Sequence, residues 1–197
     1  MRAVLMLFVS YAIISCQKGA TGPAGPAGST NVVYSDWFTP GSYTKDTVFG
    51  TYGFNYTKAV TEITQQVIDS GAVITFGKLD GYTTVIWPTN QVAQLPILIT
   101  YMDGASPNID TWSAYLTPGN LRINLVSSLN AYGSISNLHQ FRYVIIPSGG
   151  TKNDASVQPG LVNGSGKQPD AGQLQTVVQN YKQMSYAEIC QRLGIPE

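Results

Sequence analysis

From Asn31 to Pro147 the chain is a succession of short β-prone runs, each cut off by glycine, proline, asparagine or aspartate. Strands that short bury their apolar faces only by stacking in layers, which narrows the fold before any site is considered. Val32 to Phe38 leads in, and Pro40-Gly41 breaks it. Thr51 to Tyr56 alternates small or polar residues with aromatic ones. Val73 to Phe76, Thr83 to Trp87 and Leu98 to Met102 read as further strands, ended by Asp80-Gly81, Pro88 and Asp103-Gly104. Trp112 to Leu116 and Leu121 to Leu125 flank Thr117-Pro118-Gly119-Asn120, a strong hairpin signal. Phe141 to Ile146 is the most apolar run and is expected at the centre of a sheet. Val60, Ile63, Val67 and Ile68 share one helical face ahead of Gly71, so Thr61 to Ser70 reads as a short helix. The fold class expected is mainly β, an antiparallel β-sandwich with a short C-terminal α-helix. Strand spacing alone leaves sandwich and barrel both open.

Pro147 to Gly172 is rich in Gly, Ser, Asn and Pro and reads as a long surface loop. Leu174 to Tyr181 fits either a strand or a helix. Ser185-Tyr186-Ala187-Glu188 has the form of a capping box, with Met184 and Ile189 placed to form its staple. Tyr186, Ile189, Cys190 and Leu193 then make one apolar face, and Gly194 and Pro196 end the helix. Such a helix is expected to dock on a sheet face or to cover a sheet edge.

The N-terminal residues carry a different kind of information. Arg2 precedes an apolar run from Ala3 to Ile14, the pattern of a secretory leader. The run is shorter than the roughly 20 apolar residues that span a bilayer. Ile13-Ile14-Ser15-Cys16 resembles a bacterial lipobox, which implies cleavage before Cys16 and lipid on its thiol and new amino group. Two or more acyl chains anchor a protein stably where one does not. Directly behind, Gly19 to Gly28 places glycine at every third position, with Pro23 and Pro26 between. A stretch this short favours extended polyproline II, on the order of 45 Å from Cys16 to Asn31. It reads as a semi-rigid tether, as a trimerisation seed, or as a plain linker. The organisation expected is a signal peptide over 1–15, a lipidated Cys16 with a collagen-like spacer over 16–30, and a β-sandwich domain with its C-terminal helix over 31–197.

Charged residues make up 11% of the chain, against about 25% in ordinary soluble domains, and the net charge is zero. With no Lys/Arg cluster, nucleic acid is not expected as a partner. Only Cys190 remains once Cys16 is lipidated, so no intrachain disulfide is expected. His139 is the only histidine, so any imidazole base must be His139; its place beside a strand favours a structural role. Gly164-Ser165-Gly166 is not the Gly-x-Ser-x-Gly of a nucleophile elbow. Cys190 on an apolar helix face reads as a packed residue rather than a nucleophile. One His and one free Cys do not build a zinc site. Asp103, Asp110 and the carbonyls between them lack the dense oxygen spacing of a calcium loop. No catalytic, cofactor-binding or metal residue is therefore assigned, and no cofactor is expected. Trp37, Trp87 and Trp112 with twelve tyrosines leave glycan binding open, although at least two of the three Trp are expected in the core.

The leader, the glycine triplets, the run Phe141-Arg142-Tyr143-Val144-Ile145-Ile146-Pro147-Ser148-Gly149-Gly150 and the tail from Met184 to Glu197 together resemble the collagen-like lipoproteins of Bacteroidetes-type bacteria. The resemblance covers nearly the whole chain. It implies an exported, outer-membrane lipoprotein of the cell envelope, held by lipid on Cys16 and without assigned catalytic residues. The partners expected from the whole sequence are the membrane through the lipid on Cys16, and a glycan, from the exposed aromatics, or another envelope protein; the glycine triplets leave a trimer open. In such bacteria, acidic residues after the cysteine sort lipoproteins to the cell surface. Gln17-Lys18-Gly19 offers none, so either face of the outer membrane is open. Asp46-Thr47-Val48 is similar to an O-glycosylation site of the same bacteria. Substituting Cys16→Ser is expected to move the protein from the membrane pellet to the soluble fraction of lysed cells. Retention of the variant in the pellet would contradict the anchor.

Overall fold

A computed structural model describes residues 32–147 and 179–197. The leader, Cys16, the spacer, Gly164-Ser165-Gly166, the start of the Leu174 to Tyr181 segment and nearly all of the expected loop lie outside the described residues. Nine strands are described: β1 (Val33–Tyr34), β2 (Thr44–Val48), β3 (Thr51–Ala59), β4 (Ala72–Lys78), β5 (Ala93–Gln94), β6 (Ile97–Asp103), β7 (Ser106–Thr117), β8 (Asn120–Ser127) and β9 (Gln140–Ile146). Helices α1 (Gln65–Ser70) and α2 (Tyr186–Leu193) accompany them. Residues 179–183 form a further helical segment just before α2.

The strands build two antiparallel sheets, in the orders β1-β9-β4-β5 and β2-β3-β8-β7-β6. The chain is thus a β-sandwich. Alternation explains the packing. On β8, Leu121, Ile123 and Leu125 are buried between the sheets while Arg122 and Asn124 face the other way. The inter-sheet core gathers Phe54, Ile97, Ile99, Trp112 and the β8 residues against Phe141, Tyr143 and Ile145 of β9. Two of the three Trp, Trp87 and Trp112, are buried, and Trp37 is half-buried.

β9 pairs with β1 on one side and β4 on the other, the interior position its composition predicted. It is apolar without alternation because both its faces are covered. Val144 and Ile146 point away from the inter-sheet core, with Ala72, Ile74 and Phe76 of β4, and pack under Ile189, Cys190 and Leu193 of α2. The capping box forms as expected: Ser185 Oγ accepts from Glu188 N–H, and a Glu188 carboxylate oxygen accepts from Ser185 N–H at 2.7 Å. These bonds hold the Glu188 carboxyl below its ordinary pKa. Gly194 ends α2 at φ +65°, a left-handed turn suited to glycine. Cys190 lies packed in this layer, and burial raises its thiol pKa.

Arg142 locks the third layer down. It sits on β9 at 3% exposure, donating from Nε to Ser35 O (2.9 Å) and from Nη1 to Pro196 O (2.6 Å) and Tyr186 Oη. One side chain therefore ties the N-terminal segment, the central strand and the C-terminal residues together.

Three features depart from the sequence reading. Thr83 to Trp87 is a turn, not a strand: the N–H groups of Ile86 and Trp87 both donate to Thr83 O, at 2.9 and 2.8 Å. Its β-branched residues have strand propensity, but the turn buries Trp87 and leaves Val85 93% exposed, so packing overrides propensity. Edge strands β2 and β5 were not expected, because Thr44–Val48 is exposed throughout and Ala93–Gln94 is too short to show a pattern. Finally, the helix read over Thr61 to Ser70 forms as α1 but starts at Gln65, with Thr64 as an N-cap the sequence reading did not name, and Gly71 does not close it by a left-handed turn. A Cβ at Gly71 would come within 2.8 Å of Ile146 O and 2.9 Å of Val67 O, so the glycine serves close approach of helix and sheet.

Replacing Arg142 by Met keeps the volume but removes three hydrogen bonds from a cationic donor, each worth about 1.5–3 kcal/mol. Arg142→Met is expected to cost about 3 kcal/mol or more in urea unfolding, while Lys182→Ala at an exposed position stays within about 0.5 kcal/mol.

Candidate functional site

Two concave regions stand out among the described residues, one beneath a pair of loops and one on an open sheet face. The first is a cleft of about 200 Å³ lined by Asp80, Tyr82, Tyr132, Ser134, Ser136 and His139, among others. Trp112 of β7 lines it, and the same strand turns Asn108 and Asp110 inward at the preceding alternate positions, all three fully buried. Asp110 Oδ2 accepts from Tyr82 Oη (2.8 Å) and from Tyr132 Oη, and Oδ1 accepts from Asn108 Nδ2 (2.8 Å). The hydroxyls are themselves partnered: Tyr101 Oη lies 2.7 Å from Tyr132 Oη, and Trp112 Nε1 donates to Tyr82 Oη at 3.1 Å. Asn108 Oδ1 collects Ser127 Oγ (3.0 Å), Ser128 Oγ (3.1 Å) and Leu129 N–H (2.9 Å). Burial raises the phenol pKa of Tyr82 and Tyr132, helped by their bonds to the carboxylate, so both keep their protons for Asp110. The network pins the 80–82 and 127–132 loops onto the sheet.

His139 enters this cleft from the start of β9. Its Nδ1 accepts the backbone N–H of Asp80 at 3.0 Å, and its ring meets Trp112 edge-on at 4.6 Å. With Nδ1 as acceptor, the neutral ring carries its proton on Nε2. The lone pair a general base would use is already engaged by the backbone. Burial pushes the imidazole pKa down to about 4, against a smaller opposing pull from the Asp80 carboxylate. The histidine and the carboxylates do come together, but in an arrangement that holds loops.

Asp103 and Asp110, weighed from the sequence as calcium ligands, are separated by the fold. Asp103 pairs with Ser106 at the β6–β7 turn, while Asp110 pairs with Ile99 and Ser127 within the sheet. Among the described residues no group of three His, Cys, Asp or Glu side chains is placed to hold a metal ion.

The second concavity lies on the outward face of the five-stranded sheet. It is a trough of about 270 Å³ crossing β2, β3, β8 and β7. Register explains its composition. Gly53 sits opposite Asp46 and Val126, and the missing side chain lowers the floor between them. Asn55 faces Asn124, and Arg122 faces Tyr115. Asn124 Nδ2 donates to Asn55 Oδ1 (2.9 Å), and Asn55 Nδ2 donates to Asp46 Oδ2 (2.8 Å), so an amide relay ends on a carboxylate. At the other end the Arg122 guanidinium lies 4.9 Å from the centre of the Tyr115 ring. Thr47, in the motif similar to a glycosylation site, is exposed on β2 between Asp46 and Val48 of the trough, at the alternate position opposite Tyr52.

Sequence reading did not find the trough or the Asp110 network. Both depend on strand register, and only the alternation Asn108-x-Asp110-x-Trp112 hinted that polar side chains share an inward face with a core tryptophan.

No protein-family model, no curated protein and no solved structure matches the chain. The fold class is an antiparallel β-sandwich with a helical third layer.

The depressed imidazole pKa sets a pH dependence. The unfolded ring, near pKa 6.5, binds a proton before the folded one does, so stability is full above about pH 6.5 and falls as pH drops toward 4. The loss attributable to His139 reaches about 3 kcal/mol at pH 4. His139→Gln is expected to flatten that part of the stability curve, as read by urea unfolding at pH 4, 5.5 and 7.

Proposed function

We propose that this is a lipid-anchored protein of the bacterial cell envelope that works by interaction and catalyses no reaction. Its sandwich domain is held off the outer membrane by the tether behind Cys16, in a structural or adhesive role. The observation that carries the interaction reading is the unequal treatment of the two sheet faces. The outer face of the β1-β9-β4-β5 sheet is covered by α2 and its flanking residues. The trough face of the other sheet carries Asp46, Tyr115 and Arg122 as exposed residues. Anchoring is supported by the leader and lipobox pattern. Among the described residues no helix is long and apolar enough to cross a membrane.

A carbohydrate is the second reading, and the trough favours it. Asp46 and the Asn124 carbonyl accept, Arg122 and the amide groups donate, and sugar hydroxyls do both. Tyr115 adds a partly exposed ring. Among the described residues Tyr115 is the one aromatic on this face, in place of the long row of solvent-facing Trp and Tyr that many sugar-binding sheets use.

The test is binding of the full chain, in detergent, to a glycan array and to isolated envelope fractions. The double substitution Asp46→Ala, Arg122→Ala is expected to lower binding at least about tenfold, the worth of one hydrogen bond to a charged group. Val85→Ala, on an exposed turn away from the trough, is expected to change nothing. Binding that ignores the trough substitutions would overturn this placement of the surface.

A further inference from the structure

The two sheets have four outer strands, and three of them resist further pairing. β1 and β5 are two residues long. β2 carries Lys45 and Asp46 along an exposed edge. β6 is different: it runs seven residues, Ile97–Asp103, and among the described residues it is bonded within its sheet only to β7. Short length, charge and proline are the means by which natural sheets stop edge-to-edge association. From Ile97 to Met102 the strand has none of them. Its outward side chains include Leu98 and Met102, 66% and 62% exposed, and Ile109 on β7 extends the apolar strip opposite Thr100.

We infer that β6 is a docking edge and that its occupant is β6 of a second copy of this chain, paired antiparallel about a two-fold axis at Thr100. The strand's own sequence selects that partner. A register centred on Thr100 pairs all seven residues of each copy. The outward series Leu98-Thr100-Met102 reads apolar, polar, apolar in both directions, so each Leu98 meets a Met102 of the second copy and the contact forms twice. The two Asp103 carboxylates then sit at opposite ends of the joint, about 20 Å apart at the rise of a β-strand. A parallel pairing would set them side by side, which like charges oppose. The axis stands perpendicular to the sheet, so two five-stranded sheets become one of ten strands with both troughs on the same side. A ligand with repeated units could then engage both, with the gain in avidity that linkage brings.

The experiment uses the full chain in cells that produce it. Thr100→Cys places a thiol beside its symmetry mate, so a mild oxidant or a short bis-maleimide is expected to give a covalent dimer on a non-reducing gel. Thr44→Cys, on the opposite edge β2, is expected to stay monomeric. Adding Met102→Lys to Thr100→Cys is expected to cut the dimer at least tenfold. Light scattering of the unmodified full chain in detergent is expected to give a dimer mass that Met102→Lys reduces to a monomer. A Thr100→Cys protein that accepts a monofunctional maleimide yet gives no dimer would sink the inference. A dimer indifferent to Met102→Lys, or a Thr100→Cys adduct with a different protein, would sink it equally.

Discussion

Burial of β9 on both faces is the constraint from which the rest of the architecture follows. A strand covered on one side alternates apolar and polar residues; β9 presents Phe141, Tyr143 and Ile145 to one layer and Val144 and Ile146 to another. Fully burying side chains of this size is worth roughly 1.5–3 kcal/mol each. That sum requires both a second sheet and a helical cover, so β9 dictates three layers where a plain sandwich has two. Arg142 is the one interruption in the run. Its position suits the constraint, because its three acceptors, Ser35 O, Pro196 O and Tyr186 Oη, come from the segments that close the outer layer. A buried guanidinium that lost them would carry a large desolvation cost, so the closure of that layer and the presence of the arginine depend on each other.

The Asp110 network applies the same physics on the other side of the core. A carboxylate with no exposed surface is tolerated because two phenols and an amide donate to it, and each of those donors is held in turn. Among the described residues none of these partners is cationic. The arrangement therefore fixes loop positions by directional bonds, and the loops it fixes form the walls of the His139 cleft. His139 completes the wall by accepting a backbone N–H from Asp80. A polar cluster beside a histidine invites a catalytic reading. Here the bonds between its members account for the buried polar groups themselves.

How much of this was legible in the sequence depends on the range of the interaction. The core strands, the Pro118-Gly119 hairpin, a short helix ahead of Gly71 and the Ser185–Glu188 capping box are written in residues a few positions apart, and they formed where the pattern put them, except that the helix starts at Gln65 rather than Thr61. The apolarity of β9 announced a central strand, and the stripe on α2 announced a docked helix. The turn at Thr83 to Trp87 was misread because Trp87 is placed by tertiary packing that overrides four β-branched neighbours. The trough was invisible for a related reason. Asp46, Asn55, Arg122 and Asn124 are spread over nearly eighty residues and become neighbours only through the pairing of β2, β3 and β8.

The surface is as unequal as the core is complete. One sheet spends its outer face on α2; the other keeps a hydrogen-bonding trough in solvent. Three outer strands are short or charged; β6 is long and apolar. Stability alone gives no reason for either asymmetry. An exposed Leu98 and Met102 on an open strand edge invite aggregation, and a sequence selected only to fold would replace them at little cost. The trough face and the β6 edge are parts of the same sheet, so a ligand on the one would be coupled in position to a partner on the other. With one sheet closed under a helix and the other open both broadside and edgewise, the described residues concentrate their accessible recognition surface on a single sheet.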